Sequence, residues 1–236
     1  MPAIVGIYRH DNAHHVNRLL EPALADGWQT AWWALDATHP DLDGVTVGEG
    51  PGLKLPLLNQ TLSRLGPAEP WTVVSDDDLS FRKGDVVRFV RLCQRAGFDL
   101  AQPARARGTE SGGHPITTKF RVSRARTTTF IESGPLFAVG PRCRDRIFPF
   151  PGERGLGWGV EIDWYELAVA GCRLGIVDGV TMQHLGERAY DDTEMLRSML
   201  EELDARGHPQ WAGMRNTLEV WRPWQPRAPW LRRGTP

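Results

Sequence analysis

Three stretches of the 236-residue chain combine residue types that can do chemistry. The first is Asp76-Asp77-Asp78. Along an extended segment alternate side chains point the same way, so Asp76 and Asp78 can converge while Asp77 points elsewhere. Two convergent carboxylates form a hard-oxygen site for Mg²⁺ or Mn²⁺, usually completed by ligand phosphates and water. The plainer alternative is a solvated acidic turn. What distinguishes this triplet is the apolar run Trp71-Thr72-Val73-Val74 before it, which predicts a strand that delivers the carboxylates to a sheet edge. The chain's other D-x-D, Asp41-Leu42-Asp43, lies in a polar loop with no such strand.

The second stretch runs from Gly155 to Asp163. Glycines at 155, 157 and 159 permit close backbone approach to a ligand, and Trp158 offers a stacking wall. Glu161 and Asp163 follow at a helix start, where the helix dipole favours acids. Either they are plain N-terminal helix acids, or one is a general base within reach of an acceptor hydroxyl. The third is His184, whose neutral imidazole can complete a metal site that carboxylates leave open, or can be structural.

The elements that must position these residues alternate. Residues 3–8 read as a buried strand, followed by a helix capped by Asn12, with Val16, Leu19, Leu20, Ala23 and Leu24 at helical spacing and Gly27 at its end. A strand over 29–35, a loop or edge segment over 36–52, a helix over 53–65 and the strand at 71–74 come next. Gly84-Asp85 opens a helix that Gly97 closes; 98–102 is a strand, 104–115 a polar loop and 127–139 one or two strands. After the glycine loop at 152–159 come a helix over about 160–170, a last strand at 174–177 leading to Met182-Gln183-His184, and a charged helix over 193–205. This order predicts a single α/β domain over 1–206, a mostly parallel sheet with helices on both faces, and a Pro/Trp/Arg-rich tail over 207–236. In such sheets ligands gather beyond the carboxyl ends of the strands, where the acidic triplet and His184 both fall.

Composition narrows the partners. Lys and Arg (28) nearly cancel Asp and Glu (29), so there is no basic excess of the kind a nucleic-acid groove needs. No apolar run approaches the roughly 20 residues of a membrane span. Three cysteines without metal-like spacing fit reduced thiols, and a cytoplasmic location is expected. The tail interleaves Trp221, Trp224 and Trp230 with Arg222, Arg227, Arg232 and Arg233. It reads either as a strap along the domain or as a peripheral contact with an anionic membrane.

The order of the motifs resembles the GT-A class of nucleotide-sugar-dependent glycosyltransferases: a strand ending in D-x-D, a later Gly-Trp-Gly-x-Glu-x-Asp at a helix start, and a strand-exit histidine. The similarity runs from about residue 3 to 184, closest to a less studied branch with Gln102-Pro103-Ala104 and Phe130-Ile131-Glu132. The resemblance implies that Asp76 and Asp78, with His184, hold Mn²⁺ or Mg²⁺ against the diphosphate of a UDP- or GDP-sugar, with Asp77 beside them. It implies a nucleotide-facing loop around Arg9 and Asp11, a donor contact from Lys54, and inverting hexosyl transfer to a hydroxyl acceptor. The base is Glu161 or Asp163, since Ile162 separates the two acids. The 104–115 loop, with Gly108, Gly112 and Gly113, is a lid over the donor or a surface loop. Two rivals remain. One is a nucleotidyltransferase, whose glycine-rich basic loop after the first strand is absent from Arg9-His10-Asp11-Asn12. The other is a non-catalytic sugar-binding domain with a decayed site.

Overall fold

The architecture comes from a computed structural model that describes residues 1–66, 70–108, 114–186, 193–208 and 211–231. Strand β1 (Ala3–Tyr8) is apolar throughout and buried on both sides, as a strand covered by helices on each face must be. Helix α1 (Ala13–Ala25) buries Val16, Leu19, Leu20 and Ala23, and Gly27 at φ 76° turns the chain into β2 (Gln29–Ala34). Asn12 stands at the N-cap position but makes no cap bond; its amide is spent elsewhere. The 36–52 segment supplies an edge strand, β3 (Thr46–Glu49), and α2 (Lys54–Leu62) follows.

Strand β4 (Thr72–Ser75) ends at the acidic triplet, and directly beyond it lies a short strand that the sequence reading did not include, β5 (Leu79–Lys83). Helix α3 (Val86–Ala96) is capped as expected: Asp85 accepts from the Arg88 N–H at 2.7 Å, and Gly97 closes it in the left-handed region. The remaining elements are β6 (Leu100–Arg105), β7 (Ala125–Thr128), β8 (Leu136–Val139), α4 (Arg144–Ile147), α5 (Val160–Val169), β9 (Leu174–His184), α6 (Thr193–Ala205) and β10 (Thr217–Trp221). Ala104 and Arg105 thus belong to a strand rather than to the expected loop, and 109–113, with Gly112 and Gly113 of the expected lid, lie outside the described residues.

Among the described residues one ten-stranded sheet runs β10-β7-β9-β6-β8-β4-β1-β2-β3, with β5 paired to β9. Seven strands share one direction; β5, β7 and β8 run against it. The sheet is therefore mixed and mostly parallel. Helices α1 and α3 pack on one face, through Val16, Leu20, Phe89 and Val90. Helices α2 and α5 cover the other, through Leu55, Leu58, Val160 and Trp164. Each such fully buried side chain contributes about 1.5–3 kcal/mol. Pro103 cannot donate to the ladder, and the β6–β9 register shifts directly after it, so Asp178, Gly179 and Val180 of β9 form a bulge that has no partners on β6.

The segment after α6 packs along the domain. β10 pairs with β7, the Trp221 ring is flanked by the guanidinium groups of Arg95 and Arg124, and the Trp230 indole N–H donates to the Ala96 carbonyl while stacking on Phe98. Trp224 is exposed. Among the described residues no helix is long and apolar enough to cross a membrane.

Candidate active site

The triplet Asp76-Asp77-Asp78 is the whole connection between β4 and β5. Pairing of β5 with β9 sets Leu79 opposite His184, and the Leu185 N–H donates to the Asp78 carbonyl at 2.6 Å. Strand register thus brings a histidine 106 positions later in the chain beside the triplet. Nε2 of His184 lies 2.9 Å from Oδ1 of Asp78. One ligand atom from each of Asp76, Asp78 and His184 falls within 4.8 Å of the others, all on partly exposed side chains.

Alternation holds through the triplet. Asp77 turns away and is buried; its Oδ2 accepts from the Arg9 backbone N–H at 2.7 Å and from Asn12 Nδ2 at 3.1 Å. This is where the missing helix cap went. Burial lifts the Asp77 carboxyl above its ordinary value, opposed by those two donors. Burial pushes Asp78 the same way, but His184 and then Lys54 outweigh it and hold its carboxyl low. In return Asp78 raises His184.

Lys54, the first residue of α2, places Nζ 2.5 Å from Asp76 Oδ1 and 3.4 Å from the Ser133 carbonyl. The segment Ser133-Gly134-Pro135 is the hub that sequence reasoning missed. Pro135 accepts from the Asp76 N–H at 2.7 Å, and the Ser133 N–H donates to Glu161 Oε1 at 3.0 Å. A Cβ on Gly134 would lie 3.0 Å from Asp76 Oδ2, so any larger residue would press that carboxylate out of its place by a few tenths of an ångström. Gly186 has the same role at Asp78, whose Oδ2 an added Cβ would overlap. No short pattern flags these glycines; their neighbours across the fold create the need. Behind the hub, Gln102 Oε1 accepts from the Glu132 N–H at 2.6 Å, which ties β6 to it.

Glu161 stands at the second position of α5, after Gly159 at φ 82°. Burial raises its carboxyl above the usual range, against the Ser133 hydrogen bonds and the charge of Lys54. Asp163 is elsewhere: it meets Arg154 at 3.2 Å and Arg206 at 2.9 Å in a network that also takes in Glu202 and Glu166 and clamps α5 to α6. Trp158 packs against the small cluster of Ile162, Met199, Leu203 and Met214. Arg9 and Asp11 are exposed on the loop after β1, which Asp77 fastens through the Arg9 backbone.

The residues present suit a divalent ion. Two carboxylates and an imidazole, with one ligand atom of each within 4.8 Å of the others, are the donor set such an ion takes.

No protein-family profile and no curated protein sequence matches the chain. Solved structures do. GalNAc-T7, solved with UDP, GalNAc and Mn²⁺, superposes over 86% of this chain at TM-score 0.58 and 7% identity. S. aureus TarS 1–349 in complex with UDP-GlcNAc superposes over 86% at TM-score 0.57 and 11% identity. The chain spans 48% of the first and 66% of the second, less than two thirds of either. The architecture built from its own residues is therefore the GT-A-like fold of nucleotide-sugar glycosyltransferases.

Proposed function

We propose that this protein is a metal-dependent glycosyltransferase that moves a hexosyl group from a nucleotide-sugar donor to a hydroxyl acceptor with inversion. The observation that carries the reading is the convergence of Asp76, Asp78 and His184 on one point, at a rim that Ser133 and Lys54 link to Glu161. UDP-sugars are the favoured donors, because solved structures that share this fold were obtained with UDP, UDP-GlcNAc and GalNAc.

Asp76, Asp78 and His184 would hold Mn²⁺ or Mg²⁺. When bound, the ion supplies Lewis-acid neutralisation of charge on the departing nucleoside diphosphate. Lys54 adds a fixed positive charge at the same place. Asp77 acts through the backbone, fixing the Arg9–Asn12 loop against which the nucleotide would lie. Glu161 is the base: its carboxylate takes the acceptor proton as the acceptor oxygen attacks the anomeric carbon and the bond to the diphosphate breaks. Desolvation strengthens it as a proton acceptor, and the Ser133 N–H fixes its orientation. Asp163 is assigned a structural role, since both its arginine partners compete for its charge. Trp158 is assigned a supporting one, bracing the glycine loop against α6.

A thermal-shift panel of UDP, GDP, ADP and CDP, each with and without Mn²⁺, tests the reading. One nucleotide, expected to be UDP, should raise the midpoint only when the metal is present, because a ligand specific to the folded state stabilises it. No shift with any pair would remove the transferase reading.

A further inference from the structure

A concavity lies on the other half of the sheet from Lys54 and Asp76. It is a cleft of about 360 Å³ lined by Ala106, Arg107, Lys119, Arg121 and Thr181. Ala106 follows the carboxyl end of β6, and its N–H donates to the Met182 carbonyl of β9. Thr181 is three residues before His184 on the same strand, about 10 Å at ordinary strand rise. The cleft therefore opens on the rim that carries the metal-ligating set, past β8 and β6 from the donor-binding strands.

Its lining is one-signed. Three cations converge in a chain whose formal charge is −1, and none of the described lining residues is acidic. Among the described residues, Arg107, Lys119 and Arg121 make no ion pair. Nor are these cations on a loosely hung loop. Arg107 Nε donates to the Lys119 carbonyl at 3.0 Å, the Lys119 N–H donates to the Arg105 carbonyl at 3.0 Å, and Arg105 bridges Thr118 in parallel. Beneath them Arg126 and Asp178, both fully buried, pair at 3.2 Å. The other donors and acceptors of that pair pin the same segment: Arg126 Nη2 donates to the Thr118 carbonyl at 2.7 Å, and Asp178 Oδ1 accepts from the Phe120 N–H at 2.9 Å. A buried ion pair with no part in the transfer chemistry thus fixes the backbone that presents Lys119 and Arg121. An arrangement of this kind focuses potential into the cleft.

From this arrangement we infer that the acceptor is anionic, a carbohydrate bearing a phosphate or carboxylate that seats on Arg107, Lys119 and Arg121 while its hydroxyl reaches the transfer site. The inference rests on the glycosyltransferase reading and names its acceptor class. Arginine suits such a group because its planar fork of donors matches a two-oxygen face.

The test fills the donor site first. With UDP and Mn²⁺ saturating, glucose 6-phosphate, glucuronate and glucose are each titrated into the wild type and into the double variant Lys119→Ala/Arg121→Ala. At least one anion should bind about tenfold tighter than glucose, the factor expected of charge-assisted hydrogen bonds, and the double variant should lose that preference with its UDP affinity unchanged. Tighter glucose 6-phosphate identifies a phosphate acceptor, and tighter glucuronate a carboxylate one. Equal binding of the three sugars, or a preference that survives in the double variant, overturns the inference. Anion binding in a protein that fails to bind UDP with Mn²⁺ would overturn the transferase reading and the acceptor role with it, leaving an anion site.

Discussion

The Lys54 ammonium sits 2.5 Å from Asp76 Oδ1, so a cation of the chain itself neutralises one of the carboxylates of the proposed ion site. On the proposed reading Lys54 would compete with a metal for Asp76 while adding attraction for a diphosphate. Lys54→Met should raise Mn²⁺ affinity by up to about fivefold, the range of a partly exposed ion pair, and lower UDP affinity at saturating metal. Calorimetric titrations of each ligand check both signs, and a parallel loss of the two would contradict the assignment.

Glu161→Gln separates chemistry from binding. The amide keeps an oxygen for the Ser133 N–H but cannot take a proton, so kcat should fall by about 10²–10⁴ with UDP affinity retained. The same variant should be more stable than the wild type at pH 7. A carboxyl whose folded pKa is raised destabilises the native state above its unfolded pKa, and that penalty vanishes in acid. Thermal midpoints of the two proteins should therefore converge near pH 4. In the wild type, transfer should fail on acidification at a higher pH than an unperturbed glutamate would give.

Asp163→Asn should leave transfer close to wild type. It weakens the contacts to Arg154 and Arg206 and should cost no more than about 1 kcal/mol, because those ion pairs are partly exposed. Loss of activity in this variant with retention in Glu161→Gln would exchange the two roles.

Arg126→Met strands the carboxyl of Asp178 in the interior without its partner. Burial already pushes that carboxyl up and the charge of Arg126 holds it down. The variant should lose about 3–5 kcal/mol in urea unfolding, far more than the removal of a surface arginine.

Much of the scaffold could be read from the chain. The apolar β1 and β4, the Asp85 cap, the Gly97 stop and the alternation inside the acidic triplet are local patterns, and each carries its own physical cause. What escaped was set by distant partners. Asn12 looks like a cap by type, but Asp77 offers it a buried acceptor. β5 carries only two apolar residues, Leu79 and Phe81, too short an alternation to stand out, and its pairing with β9 fixes it as a strand. The importance of Ser133 and Gly134 follows only once Asp76, Lys54 and Glu161 are seen around them. Glu161 and Asp163 are equivalent in sequence, and the arginines of the glycine loop and α6 distinguish them in space.

The most direct measurement is calorimetric titration of UDP into the wild type, Asp78→Asn and His184→Ala, with and without Mn²⁺. The wild type should bind at least about tenfold more tightly with the metal, and both variants should lose that gain while keeping the wild-type unfolding profile. UDP binding that ignores Mn²⁺ in the wild type, or a metal-dependent gain that survives in both variants, would contradict a shared ion held by these side chains.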